Sequence, residues 1–443
     1  MSLTFQSFDT ASLQAHKQGD AVKRILAYAI QAVEPGAAIQ RFVRREGQNL
    51  WVNGKQLDLS SFEHVYIIAF GKAAGAMSQV MTDILGKYLA TGWVVTKHDF
   101  SLDDSRLKLI TGGHPVPNNE SLKAGEMLVN ACSQFTVRDL VFCLISGGGS
   151  ALVTAPYEGI SLSDMQVLTG QLLACGARID EINCLRRHLD RVKGGGLARM
   201  ANPSRMISLI LSDVVNSPLE AIASGATTPD PSTKEEAMEV LDRYQIIDQV
   251  PVAILEHLKS GMETPKPGDE IYDRVENLLI ASNEIASQAA AQQAEIEGFS
   301  TEILGNDFQG EATQVSATLC RELVLRDTRP LCLIAGGETT VTIHGTGKGG
   351  RNQELALAAV SLLDDQRDLM LVTLATDGED GPTDAAGAVV TGDTKLRGLD
   401  LGLADEVFLD NNDAYHYFQA LGDLLKPGPT GTNVNDLTFL FRF

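Results

Sequence analysis

Five times along this chain a short, largely apolar run stops abruptly at a glycine or a small polar cluster. Val65–Phe70 runs into Gly71-Lys72, Leu140–Ile145 into Ser146-Gly147-Gly148-Gly149-Ser150, and Met206–Leu211 into Ser212-Asp213. Leu331–Ala335 runs into Gly336-Gly337-Glu338, and Leu369–Ala375 into Thr376-Asp377-Gly378. Strands without polar alternation imply parallel sheets covered on both faces, so the pattern predicts α/β architecture. After Gly71-Lys72, the spacing of Met77, Met81, Ile84 and Tyr88 predicts a helix, completing a strand, turn and helix unit. Near the start, Val22, Ile25, Leu26, Ala29, Ile30 and Val33 form one apolar helix face that stops at Glu34-Pro35-Gly36.

At 443 residues the chain is long enough for two or three domains. Turn-forming residues dominate Gly261-Met262-Glu263-Thr264-Pro265-Lys266-Pro267-Gly268, which reads as a linker. The expected division is 1-265 and 266-443. The second part continues as α/β, with Leu278–Ala281 and Leu331–Ala335 as strands and Ala286–Glu297 as a helix. Leu437–Phe443 reads as an apolar strand buried by pairing within the chain.

The net charge of −21 repels nucleic-acid phosphates and anionic membrane surfaces, so neither is an expected partner. No basic, apolar and small-residue leader and no bilayer-length apolar run is present, which points to a cytoplasmic protein. Six cysteines without C-x-x-C spacing fit reduced, buried thiols better than zinc.

Ligands of open α/β sheets bind at the carboxyl ends of the strands, where the unusual residues of this chain gather. Ser146 to Ser150 reads as a phosphate or carboxylate cradle, or as a plain tight turn. It matches neither G-x-x-x-x-G-K-[ST] nor G-x-G-x-x-G. Lys72 is placed to neutralise a phosphoryl group, or is a solvated lysine at a helix start. Arg351 closes a glycine-rich loop at a predicted helix start, where a guanidinium is unfavourable with the dipole and suited to phosphate. Residues 178–205 carry seven basic against three acidic residues, a local reversal of the overall charge. That segment reads as a wall for a small anion, with close backbone approach at Lys193-Gly194-Gly195-Gly196, or as an ordinary basic helix face. Asp213, Glu338, Asp377, Asp380 and Asp384 are carboxylates at strand ends or beside glycines, suited to magnesium or to capping.

With these residues in view, the sequence resembles the glycerate 2-kinase family, whose C-terminal half is the MOFRL domain. The resemblance rests on Phe70-Gly71-Lys72-Ala73, Gly113-His114-Pro115-Val116-Pro117, Ile145-Ser146-Gly147-Gly148-Gly149-Ser150, and Arg187-His188-Leu189 through Lys193-Gly194-Gly195. Further on it rests on Ser212-Asp213-Val214, Gly336-Gly337-Glu338-Thr339-Thr340, Gly349-Gly350-Arg351-Asn352-Gln353-Glu354, Thr376-Asp377-Gly378 and Thr430-Gly431-Thr432-Asn433-Val434. It implies a Rossmann-like N-terminal domain, a MOFRL-type C-terminal α/β domain and an active site in the cleft between them. The implied reaction is ATP-dependent phosphorylation of D-glycerate at its 2-hydroxyl, with Mg2+ or another divalent metal, and with Lys72 and Arg351 catalytic.

On this basis Ser146, Gly147, Gly148, Gly149, Ser150, Gly336, Gly337 and Glu338 are expected at the cofactor. Arg187, His188 and Lys193 are expected at the substrate, and Asp213 and Asp377 at the metal. Where the family usually has Gly-Asp after Ser212-Asp213-Val214-Val215, this chain has Asn216-Ser217, and Ala226 replaces the usual proline after Gly225. Relatives named hydroxypyruvate reductases raise an NAD(P)H-dependent alternative, but the nicotinamide fingerprint is missing. A non-catalytic binder of small organic acids is the other alternative. Either a monomer or a homodimer is compatible with the sequence.

Overall fold

The computed structural model describes residues 3–98 and 100–443. Fifteen strands among them form three sheets. The first is a small antiparallel meander of β1 (Val43–Glu46), β2 (Asn49–Val52) and β3 (Lys55–Asp58). In the second, β4 (His64–Phe70), β5 (Leu89–Thr96), β6 (Leu107–Thr111), β7 (Asp139–Ile145), β8 (Arg205–Leu211) and β9 (Val275–Ala281) lie in the order β6-β5-β4-β7-β8-β9. Its β6-β5, β5-β4, β4-β7 and β7-β8 pairs are parallel. Every residue of β7 is buried, as two covered faces require, and Ala124 and Leu128 of helix Asn119–Cys132 pack in one core with Ile68, Phe70, Val141 and Cys143.

The remaining strands are β10 (Ser300–Glu311), β11 (Leu331–Thr340), β12 (Leu369–Ala375), β13 (Gly387–Thr391), β14 (Leu424–Leu425) and β15 (Asp436–Arg442). They form a mixed sheet in the order β10-β11-β15-β12-β13-β14, with β15 antiparallel to both β11 and β12. The apolar run expected to be buried near residue 443 therefore sits in the middle of the sheet, and Phe439, Leu440 and Phe441 are fully buried. No helix among the described residues is long and apolar enough to cross a membrane.

The chain divides into two compact units that differ from the partition at 265. One is Ala38–Ile280; the other joins the residues up to Ala37 to Ala281–Phe443. Two contacts explain the difference. Val275–Ala281 is the edge strand next to β8 in the second sheet, so the change of unit follows β9 and not the turn-rich stretch before it. Within that stretch Thr264 is buried and donates to Asp230 at 3.0 Å, which makes it part of the first unit's interior and not a linker. The N-terminal helix Gly19–Val33 packs on helix Asn283–Ile296, and Arg24 grips Glu297 through two 2.7 Å hydrogen bonds.

Because β15 is central, truncating Phe439 leaves a cavity between two strand partners. Phe439→Ala is expected to lower stability by about 3–5 kcal/mol, read from the shift in denaturant midpoint at unchanged slope.

Candidate functional site

The turns that follow β4 and β7 are bonded to each other. The Ser146 amide donates to the Phe70 carbonyl at 3.2 Å, the Lys72 amide donates to the Gly147 carbonyl at 2.9 Å, and the Ser146 hydroxyl accepts from the Ala73 amide at 3.0 Å. Gly71 is required here: its φ is 128°, and a Cβ would fall 2.4 Å from the Ser146 carbonyl oxygen. A Cβ on Gly147 would fall 1.8 Å from the Asp213 carboxylate, so the turn after β8 closes on the same loop. Among the described residues, no group accepts from the amides of Gly147 or Gly148. Lys72 is exposed, and its stem lies beside Gly148 together with the His114 ring. Burial, and then the neighbouring Lys72, holds the His114 imidazole below its ordinary pKa, and its Nδ1 is buried without a hydrogen-bond partner.

Backbone in the left-handed region is concentrated next to this loop. Asn216 (φ 59°), Ser217 (φ 49°), Ala223 (φ 48°) and Ser224 (φ 58°) all adopt it without being glycine. Such residues store strain that clusters at functional sites. Asn216 stands where the family usually has glycine, and asparagine is the residue that best tolerates the conformation after glycine. The Ser150 and Ser224 hydroxyls are 2.7 Å apart, which ties the loop to the strained segment.

Two side chains of the basic segment lie in the interior and not on an open wall. Arg187 is buried and paired with Asp230 at 2.8 Å, while the fully buried His188 bonds the Cys184 carbonyl at 2.8 Å and Glu263 at 2.9 Å. Their polar atoms are engaged with protein partners inside the unit. Lys193 is also buried, held by Asp190 and by the Val153 carbonyl, but it still lines a cavity with Arg186. The close backbone approach at Gly194 and Gly195 is to the chain itself, through donation to the carbonyls of Ser224 at 2.9 Å and Gly225 at 2.7 Å. Asp230 and Glu263, remote in sequence, neutralise much of the positive charge that the segment shows when read alone.

The turn expected at Gly336-Gly337-Glu338 is likewise absent, because β11 runs through to Thr340. Gly337 lets β10 pass closely: a Cβ there would meet the Phe308 carbonyl oxygen at 2.1 Å. Glu338 instead accepts from Arg351 Nη1 at 2.6 Å. Arg351 opens helix Arg351–Leu362 as expected, and its Nε also donates to Asp436 at 2.6 Å. These two carboxylates stabilise the guanidinium charge and fix its direction, and the side chain remains about a third exposed (32%). Around it a cavity of about 660 Å³ is lined by Glu354, Asp377, Asp380, Asn412 and Asp436 among others.

Asp380 caps the same helix by accepting from the amides of Asn352 (3.2 Å) and Gln353 (2.9 Å), and Asp384 accepts from Tyr415 and Lys426. Burial pushes the Glu354 carboxyl up to about 7, against the opposing hydrogen bond from Asn412. Asp377 lies in the turn after β12 and accepts from the Glu379 amide at 3.2 Å. Among the described residues, no group of three or more His, Cys, Asp or Glu is arranged to hold a metal ion. Asp436 was missed from sequence, whereas Arg186 was read only as one of the basic residues of 178–205. An acidic residue heading an otherwise apolar run was the available signal for Asp436, and an arginine beside predicted helix core was the signal for Arg186.

Comparison with known proteins assigns both halves. Residues 21–259 match a family described as a domain of unknown function, DUF4147, and residues 331–436 match the MOFRL family. The chain is 40% identical over 423 residues to a glycerate 2-kinase of Pyrococcus horikoshii, covering 94% of this chain and 95% of that protein. It is 40% identical over 388 residues to a D-glycerate 2-kinase of Thermotoga maritima, covering 85% and 90%. A crystal structure of glycerate kinase from Thermotoga maritima superposes with a TM-score of 0.86 at 37% identity, covering 96% of this chain and 99% of that one.

Two predictions separate structural from accessible charges. Arg187→Ala strands the fully buried Asp230 and is expected to cost about 3–5 kcal/mol of stability, whereas Lys72→Ala should stay within about 0.5 kcal/mol by denaturant unfolding. Glu354 has a folded-state pKa above its unfolded value, so the protein binds the extra proton when native. Its stabilising contribution is complete below about pH 4.5 and declines as pH rises toward 7. Melting curves across that window should show this decline flattened in Glu354→Gln.

Proposed function

The chain belongs to the glycerate 2-kinase family, and from that membership we propose that it transfers the γ-phosphoryl group of ATP to the 2-hydroxyl of D-glycerate. The observation that carries the reading is the interlocked loop at Ser146–Ser150, with two unengaged amides and an exposed lysine at its edge. Phosphoryl transfer needs positioning and charge neutralisation more than covalent chemistry, and these are the groups such a loop offers. The Gly147 and Gly148 amides hold ATP phosphates, while Lys72 and Arg351 neutralise the group in transfer.

Lys72 and Arg351 are both assigned to the transferred group from family membership, so each should matter less once the other is gone. Asp436 and Glu338 keep the Arg351 guanidinium charged and aimed. Magnesium that shares phosphate oxygens needs only one or two protein carboxylates, and Asp213, lying against Gly147, fits that requirement. Asp377 is the second candidate ligand. When bound, the metal supplies charge neutralisation at the phosphoryl oxygens. Six free cysteines, five of them buried, support a cytoplasmic setting.

Incubating the protein with ATP, magnesium and D-glycerate should release ADP only when glycerate is present, and phosphorus NMR of the product should show the ester at carbon 2. Nicotinamide oxidation with hydroxypyruvate, in place of ADP release, would assign the chain to the reductase class instead. Lys72→Ala and Arg351→Ala should each lower kcat about 100-fold or more, and the double variant should lose less than the product of the two.

A further inference from the structure

A cavity of about 520 Å³ opens within the Ala38–Ile280 unit beside the glycine loop. Its size falls within the roughly 300–1,000 Å³ of sites that enclose drug-sized ligands, and a three-carbon acid would occupy only a corner of it. One wall is helix Leu162–Ala174, which contributes Leu162, Met165 and Leu173, and the opposite wall is Pro115, Val116 and Pro117. Gln166 spans the two by donating to the Pro117 carbonyl at 3.1 Å. The rim carries Gly148 and Ser150 of the loop.

Two polar groups in this lining lack protein partners. His114 Nδ1 is buried and unbonded, and Arg186, half-buried, has no ion pair or hydrogen bond among the described residues. Burial alone pushes the Arg186 guanidinium below its ordinary range, as expected of a cation removed from water without a counter-charge. This contrasts with its neighbour Arg187, which is matched to Asp230.

Resting on the kinase reading, we propose that this cavity seats the base and ribose of the nucleotide, with Arg186 serving the polyphosphate as it leaves the cavity toward Gly148. The apolar walls suit a flat heteroaromatic ring and offer a polyhydroxy acid few hydrogen bonds. The unpaired guanidinium suits an anion, which the polyphosphate provides beside the loop residues that line the cavity.

Gly170 provides a clean test, since it faces the cavity from mid-helix and a Cβ there meets nothing within 4 Å. Gly170→Phe fills the cavity while favouring the helix, and Arg186→Gln removes the charge at similar length. Each variant should melt close to the parent. Each should raise the KM for ATP at least tenfold with the KM for D-glycerate within twofold, and Mg-ADP binding measured by calorimetry should weaken in parallel. A rise in the KM for glycerate alone would make the cavity the acceptor site, and unchanged nucleotide affinity in both variants would leave it without a nucleotide role; either result overturns the proposal. Calorimetry keeps the two readings distinct. If the parent binds Mg-ADP and the variants do not, yet glycerate-dependent ADP release is absent, the cavity assignment stands and the acceptor assignment falls.

Discussion

Two backbone turns locked to each other organise the first unit. Adjacent parallel strands end side by side, and their following turns exchange the Lys72 amide for the Gly147 carbonyl and the Ala73 amide for the Ser146 hydroxyl. Such bonds between buried main-chain groups are costly to leave unmade, so the loop conformation is inherited from the sheet. What remains over are the Gly147 and Gly148 amides, which have no acceptor among the described residues, and the exposed Lys72. Asp213 after β8 lies against Gly147, and Ala223 and Ser224 of the strained stretch lie against Gly149 and Ser150.

The second unit solves a different problem with similar means. A guanidinium at the start of a helix opposes the helix dipole, and here two carboxylates from separate strands compensate it. The arginine is thereby fixed and partly neutralised before any ligand arrives. An anion approaching it meets a triad of alternating charge, a geometry that favours selectivity over raw attraction.

Strands buried on both faces were legible because uniform apolarity leaves no alternative role, and the loops at their ends were legible because glycines and charges interrupt that uniformity. Other features were hidden for physical reasons. The meander at residues 43–58 buries only alternate residues of short, polar strands, so it carries little pattern. The glycines at 336 and 337 look like a turn, yet they are strand positions thinned for a neighbouring backbone. Arg187 and His188 looked like a binding wall because Asp230 and Glu263, which engage them, lie far along the chain. Lys72 and Arg351 were found at the expected ends of the expected elements; Asp436, which aims Arg351, belongs to a strand whose place between β11 and β12 depends on long-range pairing.

The discontinuous unit has a consequence for the order of events during synthesis. Helix Gly19–Val33 precedes Ala38–Ile280, but the partner that covers it, Asn283–Ile296, follows only after the whole of that stretch has been made. Arg351 in turn waits for Asp436, on a central strand translated later still. The unit holding the glycine loop has all its strands while the other is still assembling, so during translation the cradle precedes the guanidinium. An apolar helix face is thus without its partner helix for that interval.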